Sequence, residues 1–148
     1  MITIDKIKQL REETGLSIGE CQKALKEANG DLVMAKEILR KRGQDFAKKI
    51  IEKEAGQGII ESYIHPGKKI GTMLELRCES DFVAKSEDFQ KLAHELCLQI
   101  AAISPEEVEL FKQAWIKDES KNIKELIEEH IAKFGENIIL KRFIRYEL

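Results

Sequence analysis

The candidate cluster for covalent chemistry in this chain is Cys78-Glu79-Ser80-Asp81, which places a thiol, a hydroxyl and two carboxylates in one run. A thiol nucleophile needs a base within hydrogen-bond reach, most often a histidine. His65 stands beside Pro66-Gly67 in a turn, and His94 and His130 fall inside helical patterns elsewhere. Carboxylates that share acid and base work need a cleft, and a short turn between two elements supplies none. The run continues as Phe82-Val83-Ala84. An acid beside a large apolar ring on an exposed turn suits contact with another molecule better than covalent chemistry. Two local roles compete with that reading. Asp81 can cap the following helix, and Phe82 can fold back as a local staple. Glu79 reads as a solvated or capping acid.

The turn is positioned by a strand before it and a helix after it. Ile70, Thr72, Leu74, Leu76 and Cys78 alternate with more polar residues, the pattern of a half-buried strand. Residues 59–65 form its hairpin partner through Pro66-Gly67. Ser86 can cap a helix with the stripe Phe89, Leu92, Ala93, Leu96, Ile100 and Ile103. Ser104-Pro105-Glu106-Glu107 predicts a further short helix with Val108, Phe111 and Trp115 as its apolar side. Asp118 to Asn122 reads as a polar break. Ile123, Leu126, Ile127, Ile131 and Phe134 then predict a helix that Gly135 ends. The final run, residues 138–148, is strand-like, with Ile138, Leu140, Ile144 and Tyr146 on one face and Arg142 interrupting.

Before the hairpin the pattern is helical. Ile4, Ile7 and Leu10 share a face of residues 4–13, and Thr14-Gly15-Leu16 breaks it. Ser17-Ile18-Gly19-Glu20 predicts a capping box. Asn29-Gly30 supplies a left-handed stop and Asp31 the next cap, for a helix expected to end at Gly43. Residues 44–54 read as a separate charged linker helix, with Phe46, Ala47, Ile50 and Ile51 on its apolar side and Lys48, Lys49 and Lys53 on a solvated face. Gly56-Gln57-Gly58 marks a boundary. The expected architecture is α+β. A three-helix, ubiquitin-associated-like bundle (residues 1–43) leads through a linker and hinge (44–58) to a core (59–148). That core is a small three-stranded antiparallel sheet with helices on one face. A sheet left open on its other face invites a second copy, so a homodimer is expected.

Composition narrows the function classes. At 148 residues the chain is one domain or two small ones, with 35% charged residues and a net charge of −2. That balance argues against a protein that coats nucleic acid. No apolar run approaches the roughly 20 residues of a membrane span, and the N-terminus has no signal or transit character. Cys21, Cys78 and Cys97 have no metal-ligand spacing and read as small buried thiols in a reducing cytoplasm.

Three separated segments carry a family resemblance. Leu10-Arg11-Glu12-Glu13-Thr14-Gly15 with Cys21-Gln22-Lys23-Ala24-Leu25 resembles the opening bundle of translation elongation factor Ts. Residues 74–85, Leu-Glu-Leu-Arg-Cys-Glu-Ser-Asp-Phe-Val-Ala-Lys, resemble that family's central signature. Ile131-Ala132-Lys133-Phe134-Gly135-Glu136-Asn137-Ile138 resembles its closing motif. The resemblance implies a cytoplasmic guanine-nucleotide exchange factor that binds the GTPase elongation factor Tu, without a cofactor, metal or covalent chemistry of its own. Its Thr-Asp-Phe-Val segment corresponds to Ser80-Asp81-Phe82-Val83, and the substitution of Ser for Thr keeps the hydroxyl. The resemblance implies that Asp81 and Phe82 intrude near the partner's magnesium and phosphate site, with Val83 in support. Leu16 and Ile18, in the loop between the first two helices, are candidates for a second contact; Ile18 can equally serve the bundle core. Longer members carry two related core halves or a coiled-coil insertion. Here one core half is visible and the segment 104–121 is short, which again favours a homodimer. The rival reading from the bundle alone is an interaction module for helices or ubiquitin-like partners.

Overall fold

Short polar residues start each helix by accepting an orphan backbone N–H. The computed structural model of the chain describes residues 2–50 and 53–148, the side chain of Lys49 excepted. Thr3 caps α1 (Ile4–Thr14), Ser17 caps α2 (Ile18–Glu27), and Asp31 caps α3 (Leu32–Ile50) through its bond from Met34 N. Gly15 closes α1 in the left-handed region at φ 71°, and Asn29 and Gly30 make the same stop after α2. Ser17 takes the Glu20 N–H, half of the expected box. The full reciprocal box occurs at Asn122 and Glu125, at the start of α6 (Ile123–Phe134). Leu10, Cys21, Ala24, Leu25, Ala28, Ala35 and Leu39 form one buried cluster among the first three helices. Ile4, expected on the inner face, is exposed.

The third helix does not end at Gly43, and no separate linker helix begins at residue 44. One continuous α3 runs through Gly43 to Ile50. A Cβ on Gly43 would stand 3.2 Å from the Ala132 Cβ of α6, so this glycine lets the two helices approach closely. Their packing outweighs the helix-propensity cost of a glycine, about 1 kcal/mol. Arg40 and Glu125 join the same two helices at 2.9 Å. Ala47 and Ile50 are buried in a second, larger cluster, whereas Phe46 is exposed. Lys48 and Lys53 are exposed as expected, and the Ile51 and Lys49 side chains lie outside the described residues.

The sheet has the order β1-β2-β5, all antiparallel. β1 (Gln57–Ile64) pairs with β2 (Ile70–Cys78) across the Pro66-Gly67 turn, where His65 Nδ1 accepts the Gly67 N–H at 3.2 Å. β1 begins at Gln57, inside the expected hinge. Gly58 is required there, because a Cβ would stand 2.2 Å from the Leu76 carbonyl oxygen. β5 (Ile139–Glu147) pairs with β2. Leu76 faces Leu140 while Glu75 faces Arg142, so Lys141 is an extra residue in a bulge. The bulge corrects the expected face. Leu140 packs against the core, whereas Ile144 and Tyr146 turn to the open side with Arg142.

α5 (Glu87–Ala102), capped by Ser86, covers the other side. Thr72 Oγ1 donates to the Cys97 carbonyl at 3.2 Å. Arg145 donates to the Ile100 and Ala101 carbonyls at 2.9 and 3.1 Å, a cation at the negative end of the helix. Phe89, Leu92, Leu96 and Ile100 of α5 join Leu74, Leu76, Ile123 and Leu126 in the larger cluster.

The segment 104–122 differs from expectation. The short helix with Val108, Phe111 and Trp115 on one side does not form. In its place come turns, a 3-10 turn at Leu110–Lys112 and a two-stranded ribbon, β3 (Ala114–Trp115) with β4 (Asp118–Asn122). The expected polar break is therefore a strand. The cause is a buried amide pair. Gln113 Nε2 donates to the Ile103 and Val108 carbonyls, and Gln99 Nε2 donates to Gln113 Oε1 and the Ala114 carbonyl. Those backbone groups are committed to side chains instead of a helix ladder. Leu110 is buried, while Val108 and Phe111 are exposed.

Candidate functional site

β2 delivers the chain to the turn at Cys78, and a one-turn helix, α4 (Asp81–Ala84), follows at once. Ser80, not Asp81, is its cap: Ser80 Oγ accepts the Val83 N–H at 3.2 Å. Val83 and Ala84 are buried and packed in the larger cluster, which pins the inner side of the turn. Asp81 and Phe82 point away from it. Phe82 is 86% exposed, so the staple role does not hold. Asp81 makes an exposed i,i+4 pair with Lys85 at 2.8 Å, a contact of small energetic weight.

Two carboxylates fix the backbone beneath this tip. Glu136 lies just past Gly135, whose φ of 70° ends α6 and redirects the chain. Its Oε1 accepts Glu79 N at 3.1 Å and Ser80 N at 2.9 Å, and its Oε2 accepts the Ser80 hydroxyl at 2.5 Å. Glu79 reciprocates by accepting the Asn137 N–H, and Asn137 Nδ2 donates to the Lys53 carbonyl at 2.8 Å. Glu79 is therefore a tertiary link between β2 and the β5 approach, neither solvated nor a cap. Charge-assisted bonds of this kind are the stronger class. The Cys78 thiol donates to the Ser80 carbonyl at 3.2 Å, and burial pushes it up to about 11. A thiol so protonated is a poor nucleophile.

Of the four residues expected to form a partner contact, Ser80 and Val83 shape the turn, while Asp81 and Phe82 are exposed at its tip. Leu16 is half-buried against the bundle, and Ile18 is 52% exposed at the start of α2. Leu16 also lines a cleft of about 560 Å³ between the bundle and the β4–α6 region, to which Ser80–Val83 contribute nothing. The charges there are paired, Lys36 with Glu13 and Lys121 with Glu129. Among the described residues no group of three His, Cys, Asp or Glu side chains is placed to hold a metal. No described helix is long and apolar enough to cross a membrane. Glu136 and Asn137 lie within the run that resembles the family's closing motif, but the sequence assigns neither a role, since their partners Glu79 and Ser80 are far away along the chain.

The model of a protein family described as elongation factor TS matches residues 79–148, beginning at this turn. Elongation factor Ts of Coprothermobacter proteolyticus is 37% identical over 193 residues, covering 99% of this chain and 98% of that protein. The chain belongs to the elongation factor Ts family. The elongation factor Ts proteins of Moorella thermoacetica and Thermodesulfovibrio yellowstonii are 38% and 39% identical. They cover 100% and 99% of this chain, and 96% of each relative is covered. These alignments span 192 to 194 residues against 148 in this chain, so the relatives carry internal residues absent here. Elongation factor Ts is a translation elongation factor, which sets this chain in protein biosynthesis.

Proposed function

We propose that this protein is a cytoplasmic guanine-nucleotide exchange factor that binds elongation factor Tu and promotes release of its GDP. The reading is supported by family membership and carried by one observation: the Phe82 ring is 86% exposed at the tip of a turn whose backbone is fixed from below. A GTPase holds GDP through magnesium and a cradle of backbone donors. An exchange factor acts by binding the nucleotide-free state more tightly than the loaded one, and the effect is reciprocal. No covalent step is involved. In this reading Phe82 enters an apolar gap near the partner's phosphate site, and Asp81 competes for hydrogen bonds around its magnesium. Lowering GDP affinity a thousandfold takes about 4 kcal/mol of such differential binding. The bundle (residues 1–43) adds a second contact through Leu16 and Ile18, joined by residues 44–58 to the core (59–148). The test is stopped-flow release of a fluorescent GDP from elongation factor Tu. Acceleration on adding this protein is the expected result, and an unchanged rate overturns the reading.

We further propose a homodimer through the open sheet face. Ile64, Gly71 and Tyr146 form one cross-strand row there, and Ser62, Met73 and Ile144 the next. Ile60, Ile64, Met73, Ile144 and Tyr146 are all exposed. The next row, Ile60, Glu75 and Arg142, carries a paired charge, so it is the apolar end of this face that suits a second copy of itself. Sedimentation should show a dimer that Met73→Glu converts to a monomer. A monomeric unsubstituted protein would refute the proposal.

A further inference from the structure

The geometry points to Glu136 as a positioning residue for nucleotide release, an inference that rests on the exchange reading above. Phe82 is too exposed for its own contacts to orient it. Its placement is set by the backbone of residues 79–83. That backbone ends in a helix of four residues, too short to hold itself, because the first helical turn is costly to nucleate. The cap must do the holding. Ser80 Oγ caps by accepting Val83 N and donates its own proton to Glu136 Oε2. The carboxylate therefore aims the hydroxyl lone pair at the helix. Its other oxygen gathers the N–H groups of Glu79 and Ser80. One side chain, supplied by a segment 56 residues away in sequence, thus fixes two successive peptide units and the cap together. The Glu79–Asn137 bond ties the same segments in the other direction.

A turn held in this way meets its partner already ordered, which removes an entropic cost of association. Loss of Glu136 should therefore weaken engagement and leave the step after engagement intact. The experiment titrates the protein against elongation factor Tu loaded with fluorescent GDP. Glu136→Ala and Glu136→Gln are each measured with Phe82 present and with Phe82→Ala, beside melting curves. Glu136→Ala should raise the half-saturating concentration about tenfold, equivalent to about 1.4 kcal/mol, with the saturated release rate within about twofold. Glu136→Gln keeps an oxygen for the two backbone N–H groups and should cost about threefold. With Phe82→Ala both effects should shrink below about twofold, because the coupled pair is already broken.

An equal cost in both backgrounds would make Glu136 merely structural and overturn the inference. So would full activity of a folded Glu136→Ala protein. If Glu136→Ala does not fold, the Gln variant decides by the same criterion. Failure of the exchange reading is told apart because Phe82→Ala alone would then leave release unchanged.

Discussion

Two of the turns that expose an apolar side chain, one showing Ile18 and the other Phe82, are built differently. The loop of residues 14–18 shows Ile18 and is held by its own neighbours. Gly15 N reaches Arg11 O at 2.8 Å, Thr14 Oγ1 reaches Leu10 O at 2.7 Å, and Leu16 N reaches Thr14 Oγ1 at 3.3 Å. The turn of residues 79–83 shows Phe82 and is held by carboxylate bonds 56 to 58 residues distant in sequence. A cysteine lies beneath each. Cys21 makes only loose sulfur contacts, at 3.8 Å to Thr14 and 3.9 Å to Leu16 O, whereas Cys78 donates to Ser80 O at 3.2 Å. In the exchange reading proposed above, local bonds suffice for the second contact at Ile18, whereas Phe82 meets its partner on a turn that the rest of the fold has already ordered.

That contrast can be broken most severely at the clamped tip. Asp81→Ala combined with Phe82→Ala should reduce the acceleration of GDP release about a hundredfold, as expected when a central aromatic anchor and its neighbour are removed. The melting temperature should hold, since both side chains are exposed. A hundredfold loss accompanied by unfolding would mean that the tip supports the core and that the contrast is mistaken.

Alkaline titration probes what lies beneath. Burial pushes the Cys78 and Cys97 thiols up to about 11. Their protonated forms are thus favoured by folding. The resulting stability is fully present below the ordinary thiol value and is lost as pH rises from about 9 to about 11, on the order of 2 kcal/mol for each thiol. Chemical denaturation across that range should show the loss, and Cys78→Ala should remove one thiol's share. A flat profile would contradict the burial of both thiols. The same burial predicts that iodoacetamide leaves exchange intact at neutral pH.

The local loop should show the smallest effect. Ile18→Ala should weaken binding to elongation factor Tu about fivefold, near 1 kcal/mol, with stability changed by less than about 0.5 kcal/mol. Calorimetric titration and a melting curve check both. A larger effect than that of Phe82→Ala would reverse the ranking of the two turns.

Much of the architecture was legible because its signals are local. Ser17, Asp31 and Ser86 mark helix starts, Gly15, Asn29-Gly30 and Gly135 mark stops, and the alternation from Ile70 to Cys78 marks a strand. What was not legible depends on partners far along the chain. Gly43 reads as a stop until Ala132 is seen against it. Ser104-Pro105-Glu106-Glu107 reads as a helix start until the Gln99–Gln113 pair is seen to take the backbone carbonyls. The bulge at Lys141 moves Ile144 to the open face with no residue type to announce it. At the site, the acid–aromatic pair stood out because a phenylalanine on an exposed turn is unusual. Glu136 did not, since its role exists only when residues 79 and 80 are beside it.

The most direct test is the rate of fluorescent GDP release from elongation factor Tu at saturating Phe82→Ala protein, measured by stopped flow beside the unsubstituted chain. Release should slow about thirtyfold, the loss of an anchor contact of about 2 kcal/mol. The variant should melt where the unsubstituted protein does, because an 86% exposed ring contributes little to the fold. An unchanged release rate from a folded variant would contradict the account.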